Sequence, residues 1–328
     1  MKLKYTWIPF VVSLLLLIPV RVYQVTVGKG NAFGTSLMEE NVFYLLFSLL
    51  CVFVLLFITM SLLCKNVPET VKFQKNILSG IFATVLGIVM AYEGINELYL
   101  LFISIIEQKN AIKTIILSVT TILASFVFLI LAFCQFYGKN IFLKVPVMAL
   151  VPTVWAAIRL ILIFMYHTSI ASTAADMLDV LAVVFLLLFL FTQARMFAGM
   201  DGKNIPKRLF AFGMPAVLLI LLYDVPILSL KAVGVSNSVS GYGTFCMIDL
   251  LLAAYIVISL IEITDAIRAT AQKGRYSKQG YRMRNEAANI RITENLRQRE
   301  KAQQKDQSVD ERRVPDSMLR TKGLNNKK

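Results

Sequence analysis

The chain has 328 residues, of which 57% are hydrophobic, and it carries a formal net charge of +14. Its mean hydropathy is +0.67. A water-soluble domain of this composition would lack the polar residues that cover a folded surface. The composition therefore excludes an ordinary soluble globular protein and indicates a membrane protein.

Apolar runs of about 20 residues recur along the chain, and each is long enough to cross a hydrocarbon core of roughly 30 Å. Backbone amides must be paired inside lipid, and these runs lack the alternation of barrel strands, so we predict an all-α, polytopic membrane protein. Eight transmembrane helices are predicted, at 7–25, 42–64, 77–96, 114–136, 145–166, 177–199, 209–230 and 243–264.

Two apolar segments need separate interpretation. The first run has the basic start of a signal peptide, but no small-x-small cleavage site follows "IPVRVYQV", so we interpret it as a membrane anchor. The segment Leu98–Ile106 is too short to cross the membrane. It could extend the third span, lie at the membrane surface or re-enter the membrane. A separate crossing would reverse every later span.

Glycines in the third span and prolines in two later spans indicate how the helices pack. Gly80, Gly87 and Gly94 recur every seven residues, which predicts a stripe of small residues that lets another helix approach closely. Pro152 and Pro215 lie inside predicted spans, where they could kink a helix or free backbone carbonyls.

Lys and Arg residues in the connections predict the orientation of the spans. One side of the membrane holds eleven of them, at the amino end and within 65–76, 138–144 and 195–208. The other side holds five, at Arg21, Lys29, Lys109, Lys113 and Lys231. Because cytoplasmic connections are enriched in Lys and Arg, we predict a cell-membrane protein with both termini in the cytoplasm.

The composition changes at Asp265, which divides the chain into a predicted helical bundle, 1–264, and a basic tail, 265–328. The tail carries 17 Lys and Arg against 8 Asp and Glu, with few apolar residues, so most of it is expected to be disordered. A basic stretch of the tail close to the membrane is Gly274–Arg284, which contains Arg275, Lys278, Arg282 and Arg284. We expect this stretch to contact anionic lipid headgroups of the bilayer. A cytoplasmic protein partner is the alternative, and nucleic acid is disfavoured because no stacking platform accompanies the charge.

Two predicted cytoplasmic loops resemble each other. They read "KNVPETVKF" and "KNIPKRLFAF" and start 138 residues apart, and the same offset relates Arg21 to Arg159. The pattern predicts a parallel internal repeat of two four-helix halves, 1–138 and 139–276. Chance similarity between apolar helices is the alternative.

Ionisable residues of the spans gather at one predicted depth. Arg159 lies roughly 10 Å inside the outer end of its span, and Asp224 and Asp249 lie roughly 9 Å inside the outer ends of theirs. The cytoplasmic half of the spans carries almost no ionisable residue apart from Arg195. The other candidates at the outer level are Glu93, Arg21, Asp179, Tyr92 and Tyr223, with Asn96 close by.

A charge inside the membrane costs several kcal/mol unless it is compensated, so such groups normally face the bundle interior, a partner or water. We therefore predict a polar cavity that opens outward, in which Arg159 pairs with Asp224, Asp249 or both. A purely structural ion pair that locks the helices together is the alternative interpretation of the same residues.

The sequence contains no catalytic, metal-binding or cofactor-binding pattern. HExxH, GxSxG and phosphate-binding loops are absent, His167 is the single histidine, and the cysteines are dispersed. The four cysteines are Cys51, Cys64, Cys134 and Cys246, which we interpret as packing residues. We predict no catalytic residue, no metal and no cofactor, and an enzyme that uses the outer carboxylates is disfavoured.

These features predict a membrane protein that binds or transports a small polar or anionic solute, or an ion, through the outer cavity. Arg159 would bind an anionic group, while Asp224 and Asp249 would balance it or bind a coupling cation. The alternative is a membrane scaffold or sensor whose helices only anchor the chain. In that case the basic tail would bind anionic lipid or a partner protein.

Overall fold

The structure is a computed structural model that describes residues 3–30, 36–64, 75–103, 111–169, 174–200, 204–232 and 247–267. Within these ranges every regular element is a helix, which confirms the all-α prediction for the described part of the chain. The α-helices are α1 (Trp7–Gly30), α2 (Ser36–Leu62), α3 (Ile77–Ile103), α4 (Ala111–Tyr137), α5 (Val151–Ser169), α6 (Ala174–Phe197), α7 (Ile205–Ala232) and α8 (Met247–Ile267). Short 3-10 helices lie at Leu3–Thr6, Ile141–Leu143 and Pro146–Leu150.

Seven of the described helices, α2 to α8, are long and apolar enough to cross a membrane. In α1 the apolar stretch with described side chains, Trp7–Tyr23, is shorter. Large apolar side chains such as Leu15, Phe102 and Phe126 cover the outside of the bundle, where water would solvate them poorly. The described helices therefore form a bundle suited to lipid, while the eighth span remains a prediction.

The observed boundaries settle two details of the predicted spans. Helix α3 continues without a break to Ile103, so the apolar segment that begins at Leu98 extends the third span. The fifth span starts with the 3-10 helix Pro146–Leu150 and becomes α-helical at Val151. Pro146 and Pro152 occupy first turns, where a missing backbone N–H is tolerated.

Consecutive helices run antiparallel where the structure shows their contacts. At one end of the bundle, the Asn76 amide donates to the Gln135 carbonyl over 3.2 Å and joins the start of α3 to the end of α4. At the same end, the Ser61 hydroxyl donates to the Lys207 carbonyl over 2.6 Å. We name this the proximal end; the opposite end, where α8 begins at Met247, is the distal end.

Helices α3 and α4 form the closest packed pair, and the glycine stripe explains the contact. A Cβ atom added to Gly80 would lie 2.8 Å from the Phe136 ring, and one added to Gly94 would lie 2.8 Å from Ile122. At Gly87 the distance to Leu129 would be 2.9 Å. The prediction that these glycines admit a neighbouring helix is confirmed.

Helix α7 lies at the centre of the bundle and is the most completely buried of the predicted spans. It contacts α1, α2 and α6. Helix α8 reaches the same core, because Gly213 of α7 lies against Leu260 of α8. Residues that face inward on α7 and α8 are therefore shielded from lipid by neighbouring helices.

The observed packing does not repeat between the two predicted halves. Helix α6 packs extensively against α7, whereas the described residues of α2 and α3, their counterparts in the proposed duplication, hardly touch. The repeat therefore remains a hypothesis based on the sequence.

The basic stretch Gly274–Arg284, with Arg275, Lys278, Arg282 and Arg284, lies outside the described residues, so its predicted contacts also remain predictions.

Candidate functional site

Arg159 lies in the middle of α5, and only 5% of its surface is exposed. Both terminal nitrogens of its guanidinium donate hydrogen bonds to Asp249, Nη1 to Oδ1 and Nη2 to Oδ2, each over 2.5 Å. This is the bidentate geometry that planar guanidinium and carboxylate groups favour. Because Asp249 lies near the start of α8, the ion pair joins α5 to α8.

Trp155, one helical turn before Arg159 on α5, packs against the guanidinium. Its ring centroid lies 5.8 Å from the Arg159 guanidinium carbon, within the range of a cation–π interaction. The Trp155 indole donates a hydrogen bond of 2.9 Å to the Thr121 hydroxyl on α4, which fixes the ring. Our sequence interpretation missed Trp155, although its spacing of four residues from Arg159 places both on one helix face.

Three more carboxylates lie within electrostatic range of this ion pair. Asp179 on α6 and Asp224 on α7 are buried, and both interact with the Arg159 guanidinium. Glu93 on α3 is half-buried and interacts with both Arg159 and Asp249. Four carboxylates from four helices thus interact with one guanidinium, and one of them is hydrogen-bonded to it. We name these five residues the distal cluster.

The remaining predicted residues divide into those near the distal cluster and those outside it. Arg21 is buried and interacts with Tyr223, the residue that precedes Asp224 on α7. Tyr92 is 69% exposed and lies on the outside of the bundle, so it does not join the cluster. Asn96 is half-buried on α3.

Glu97 and Ser118 extend the distal cluster toward α4. The Ser118 hydroxyl donates a hydrogen bond of 3.0 Å to Glu97 Oε2, and Glu97 interacts electrostatically with Glu93, one turn earlier on α3. Our sequence interpretation missed both residues. The spacing of four between the two glutamates was the available signal, because it places both on one face of the helix.

The charge balance of the distal cluster decides what it can bind. Arg159 already holds Asp249 through two hydrogen bonds, so an anionic solute would have to displace that carboxylate. Carboxylates outnumber guanidinium groups even when Arg21 is included. The cluster therefore favours a cationic group, a hydrogen-bond donor or protons. Among the described residues, no group of three His, Cys, Asp or Glu side chains could hold a metal ion.

A second buried polar contact lies in the other half of the bundle. The Gln193 amide on α6 donates a hydrogen bond of 2.6 Å to the Tyr255 hydroxyl on α8. The Phe128 ring on α4 meets the Tyr255 ring edge-on, with the centroids 5.7 Å apart. Glu262 is half-buried further along α8. Our sequence interpretation did not single it out, since it assigned almost no ionisable residue apart from Arg195 to the cytoplasmic half of the spans.

Cys51, Cys64 and Cys134 are free thiols, while Cys246 and the His167 side chain lie outside the described parts of the chain.

Comparisons with protein-family models, with curated protein sequences and with solved structures found no match. The arrangement of side chains inside the bundle is therefore the basis for assigning a function.

Proposed function

We propose that this integral membrane protein binds and transports a small polar solute or ion through the distal end of the bundle. The observation that supports the proposal is the distal cluster, in which carboxylates from α3, α6, α7 and α8 interact with Arg159. Charges inside a membrane are costly, and proteins that only need an anchor do not require five that act on one another.

The proposal counts α1 as a span, which gives eight in total, and it places the distal end on the outer side of the cell membrane. The concentration of Lys and Arg in the proximal connections supports this orientation. It places both termini in the cytoplasm and the distal cluster in the outer part of the cell membrane. A solute from outside would then meet the carboxylates first.

Arg159 has a different role here from the one that the sequence suggested. Its pairing with Asp249 supports a fixed internal counter-ion, rather than a ligand for an anionic solute. Asp179 and Asp224 are then the groups that bind the cationic or hydrogen-bond-donating part of the solute, or a proton. The favoured solutes are a small amine or a small cation.

Because the distal cluster is buried, a solute can reach it only when the distal ends of the helices rearrange. Pro226 supplies a weak point in α7, two residues beyond Asp224. Proline has no backbone N–H, so it cannot bond to the carbonyl of Leu222, one turn earlier. The distal end of α7 can bend there without loss of a backbone hydrogen bond. This supports α7 as the element that opens.

The experiment is uptake of a panel of radiolabelled amines, amino acids and monovalent cations into vesicles that contain the full-length protein. Asp224→Asn should reduce uptake at least about tenfold, because a neutral amide cannot stabilise a cationic group in a water-excluded site. Asp179→Asn should act in the same direction. Asp265→Asn, which changes an exposed aspartate on α8, is the matched control and should leave uptake unchanged.

A scaffold or sensor is the second candidate function, because the bidentate Arg159–Asp249 pair is also suited to locking α5 to α8. In that case the basic tail would contact anionic headgroups or a cytoplasmic protein. Truncation after residue 275 distinguishes the candidates. If the protein transports a solute, the truncation should have little effect on uptake. If it is a scaffold, the truncation should abolish the cellular phenotype, and Asp224→Asn should be harmless. If both changes are harmless, both candidates are wrong.

A further inference from the structure

The connection between α4 and α5, residues 138–145, carries apolar side chains on its outer surface. It lies at the proximal end, where α4 ends, and it includes the 3-10 helix Ile141–Leu143. Ile141, Leu143 and Val145 are all exposed, and 61% of the Leu143 surface is accessible. A connection that meets water is normally covered by polar side chains, so this apolar surface requires another environment.

The apolar surface is held in place, because the connection is tied to the end of α6. The Asn140 side-chain amide donates a hydrogen bond of 2.8 Å to the Phe197 carbonyl, and Asn140 Oδ1 accepts one of 3.0 Å from the Phe142 amide. Phe142 is buried, and its ring stacks on that of Phe197 with the centroids 5.8 Å apart. With Phe142 directed into the bundle, its neighbours Ile141 and Leu143 are directed outward.

Three lysines border this apolar surface. Lys139 and Lys144 flank the 3-10 helix, and both side chains are exposed. Lys75, which precedes α3, is also exposed and lies beside the connection, since a Cβ atom added to Gly138 would be 3.3 Å from the Lys75 Cβ atom. Among the described residues, no carboxylate forms an ion pair with any of these lysines. The connection thus presents apolar side chains and positive charge on one surface.

The combination of apolar side chains and lysines identifies the partner as a lipid leaflet. The boundary between headgroups and acyl chains accepts apolar side chains while lysine ammonium groups reach the headgroups. The exposed apolar surface also continues onto the fifth span, where Val147 and Val154 are exposed, so the connection adjoins the lipid-facing side of the bundle. Anionic headgroups attract lysines near the membrane surface, which favours anionic phospholipids.

We propose that the α4–α5 connection is an interfacial segment that inserts its three exposed apolar side chains into the proximal leaflet and contacts anionic phospholipid headgroups through the three lysines that border them. The segment goes beyond the proposed function, because it shares no residue with the distal cluster and requires no transport. It is also separate from the basic tail. Its role is to fix the level of the proximal ends of α4 and α5 in the bilayer.

The first test measures the position of the connection in liposomes that contain the full-length protein. A bimane fluorophore is attached to Leu143→Cys in a variant whose four native cysteines are replaced by alanine. Lipids with brominated acyl chains should quench its fluorescence, and iodide in the water should quench it weakly, because the side chain lies at the acyl boundary. The same fluorophore at Arg208→Cys, an exposed position at the proximal end of α7, is the control and should be quenched strongly by iodide.

The second test measures the preference for anionic lipid by thermal unfolding of the purified full-length protein in neutral detergent. A ligand that binds only the folded state raises the unfolding temperature in a saturable manner, and phosphatidylglycerol should do so at lower amounts than phosphatidylcholine. Lys139→Gln and Lys144→Gln should each raise the half-saturating amount of phosphatidylglycerol about fivefold, the effect of one lysine near an anionic surface. Lys113→Gln removes an exposed lysine near the distal end of α4 and is the matched control, which should leave the response unchanged.

The proposal is overturned if iodide quenches the fluorophore at positions 143 and 208 alike, which would place the connection in water. It is also overturned if protection from iodide disappears when the protein is diluted with lipid, since a second copy would then cover the surface. Equal responses of Lys139→Gln and Lys113→Gln to phosphatidylglycerol, or an equal effect of inorganic phosphate, would exclude lipid recognition by these lysines. Asp224→Asn should leave both readouts unchanged, so failure of this proposal and failure of the transport proposal are separate outcomes.

Discussion

The distal cluster and the contact between Gln193 and Tyr255 stabilise buried polar groups in different ways, although both include residues of α8. In the distal cluster, full charges are held together, and Asp249 receives two hydrogen bonds from Arg159. Between Gln193 and Tyr255, two neutral groups share one hydrogen bond of 2.6 Å. A charge inside a membrane must be compensated, whereas a neutral group loses less when its partner is removed.

The comparison teaches that the charge of a buried group, and not its burial alone, sets how much its partner contributes to stability. The distal ion pair is complete in the described structure, so binding of a solute there requires a conformational change. If this contrast is correct, disruption of the distal pair should cost far more stability than disruption of the hydrogen bond between Gln193 and Tyr255.

The largest expected effect comes from breaking the distal ion pair. Arg159→Met should lower the free energy of unfolding by about 3–5 kcal/mol, because the Asp249 carboxylate would remain buried without its partner. The double variant with Asp249→Leu should recover most of the loss. Chemical unfolding in detergent measures both values, and Arg208→Met, at an exposed arginine of α7, is the control.

Equal stabilities for Arg159→Met and the double variant would contradict the contrast. Such a result would mean that the Asp249 carboxylate finds other partners at no cost, so that the ion pair does not hold α5 to α8. The ion pair and the hydrogen bond between Gln193 and Tyr255 would then differ in charge only and not in their contribution to stability.

An intermediate effect is expected from the glycine stripe, since α3 carries Glu93 of the distal cluster and packs against the helix that carries Gln135. Gly87→Ala would place a methyl group 2.9 Å from Leu129, and overpacking of this kind costs about 1–3 kcal/mol. Val85→Ile, which enlarges an exposed side chain on the same helix, should change stability little.

The variant at Gly87 sharpens the comparison when it is combined with the uptake assay. If the contact between α3 and α4 holds Glu93 in place, Gly87→Ala should weaken uptake as well as lower stability. Unchanged uptake would show that the distal cluster does not depend on the spacing of these helices.

The smallest expected effect is the coupling between Gln193 and Tyr255. Their hydrogen bond joins neutral groups, and such bonds contribute about 0.5–1.5 kcal/mol. A double-mutant cycle with Gln193→Leu and Tyr255→Phe, measured by chemical unfolding in detergent, gives this value while keeping the ring contact with Phe128. A coupling energy as large as that of Arg159 and Asp249 would contradict the expected difference between a charged and a neutral buried contact.

The helices and one contact between them could be predicted from the sequence. Apolar runs located the helices because lipid admits few charged side chains, and the spacing of Gly80, Gly87 and Gly94 indicated the close approach of another helix. The constant rise per residue of a helix also placed Arg159 and the acidic residues at one predicted depth, which stays a prediction. Depth does not specify rotation about the helix axis.

For that reason the sequence could not decide which aspartate pairs with Arg159, nor show that Tyr92 faces away from the bundle. The contact between Gln193 and Tyr255 could not be predicted for another reason. Glutamine and tyrosine are ordinary residues of membrane helices, so a search for charges does not single them out. Their pairing arises only because α6 and α8 bring them together in space.

The tight contact between α3 and α4 extends from Gly80 to Gly94, a rise of roughly 21 Å along the helix axis. Two helices in contact over that length can separate only if many side chains repack together, so α3 and α4 are expected to tilt as one unit. A tilt that withdraws Glu93 from Arg159 would then also displace Gln135 at the opposite end of the pair.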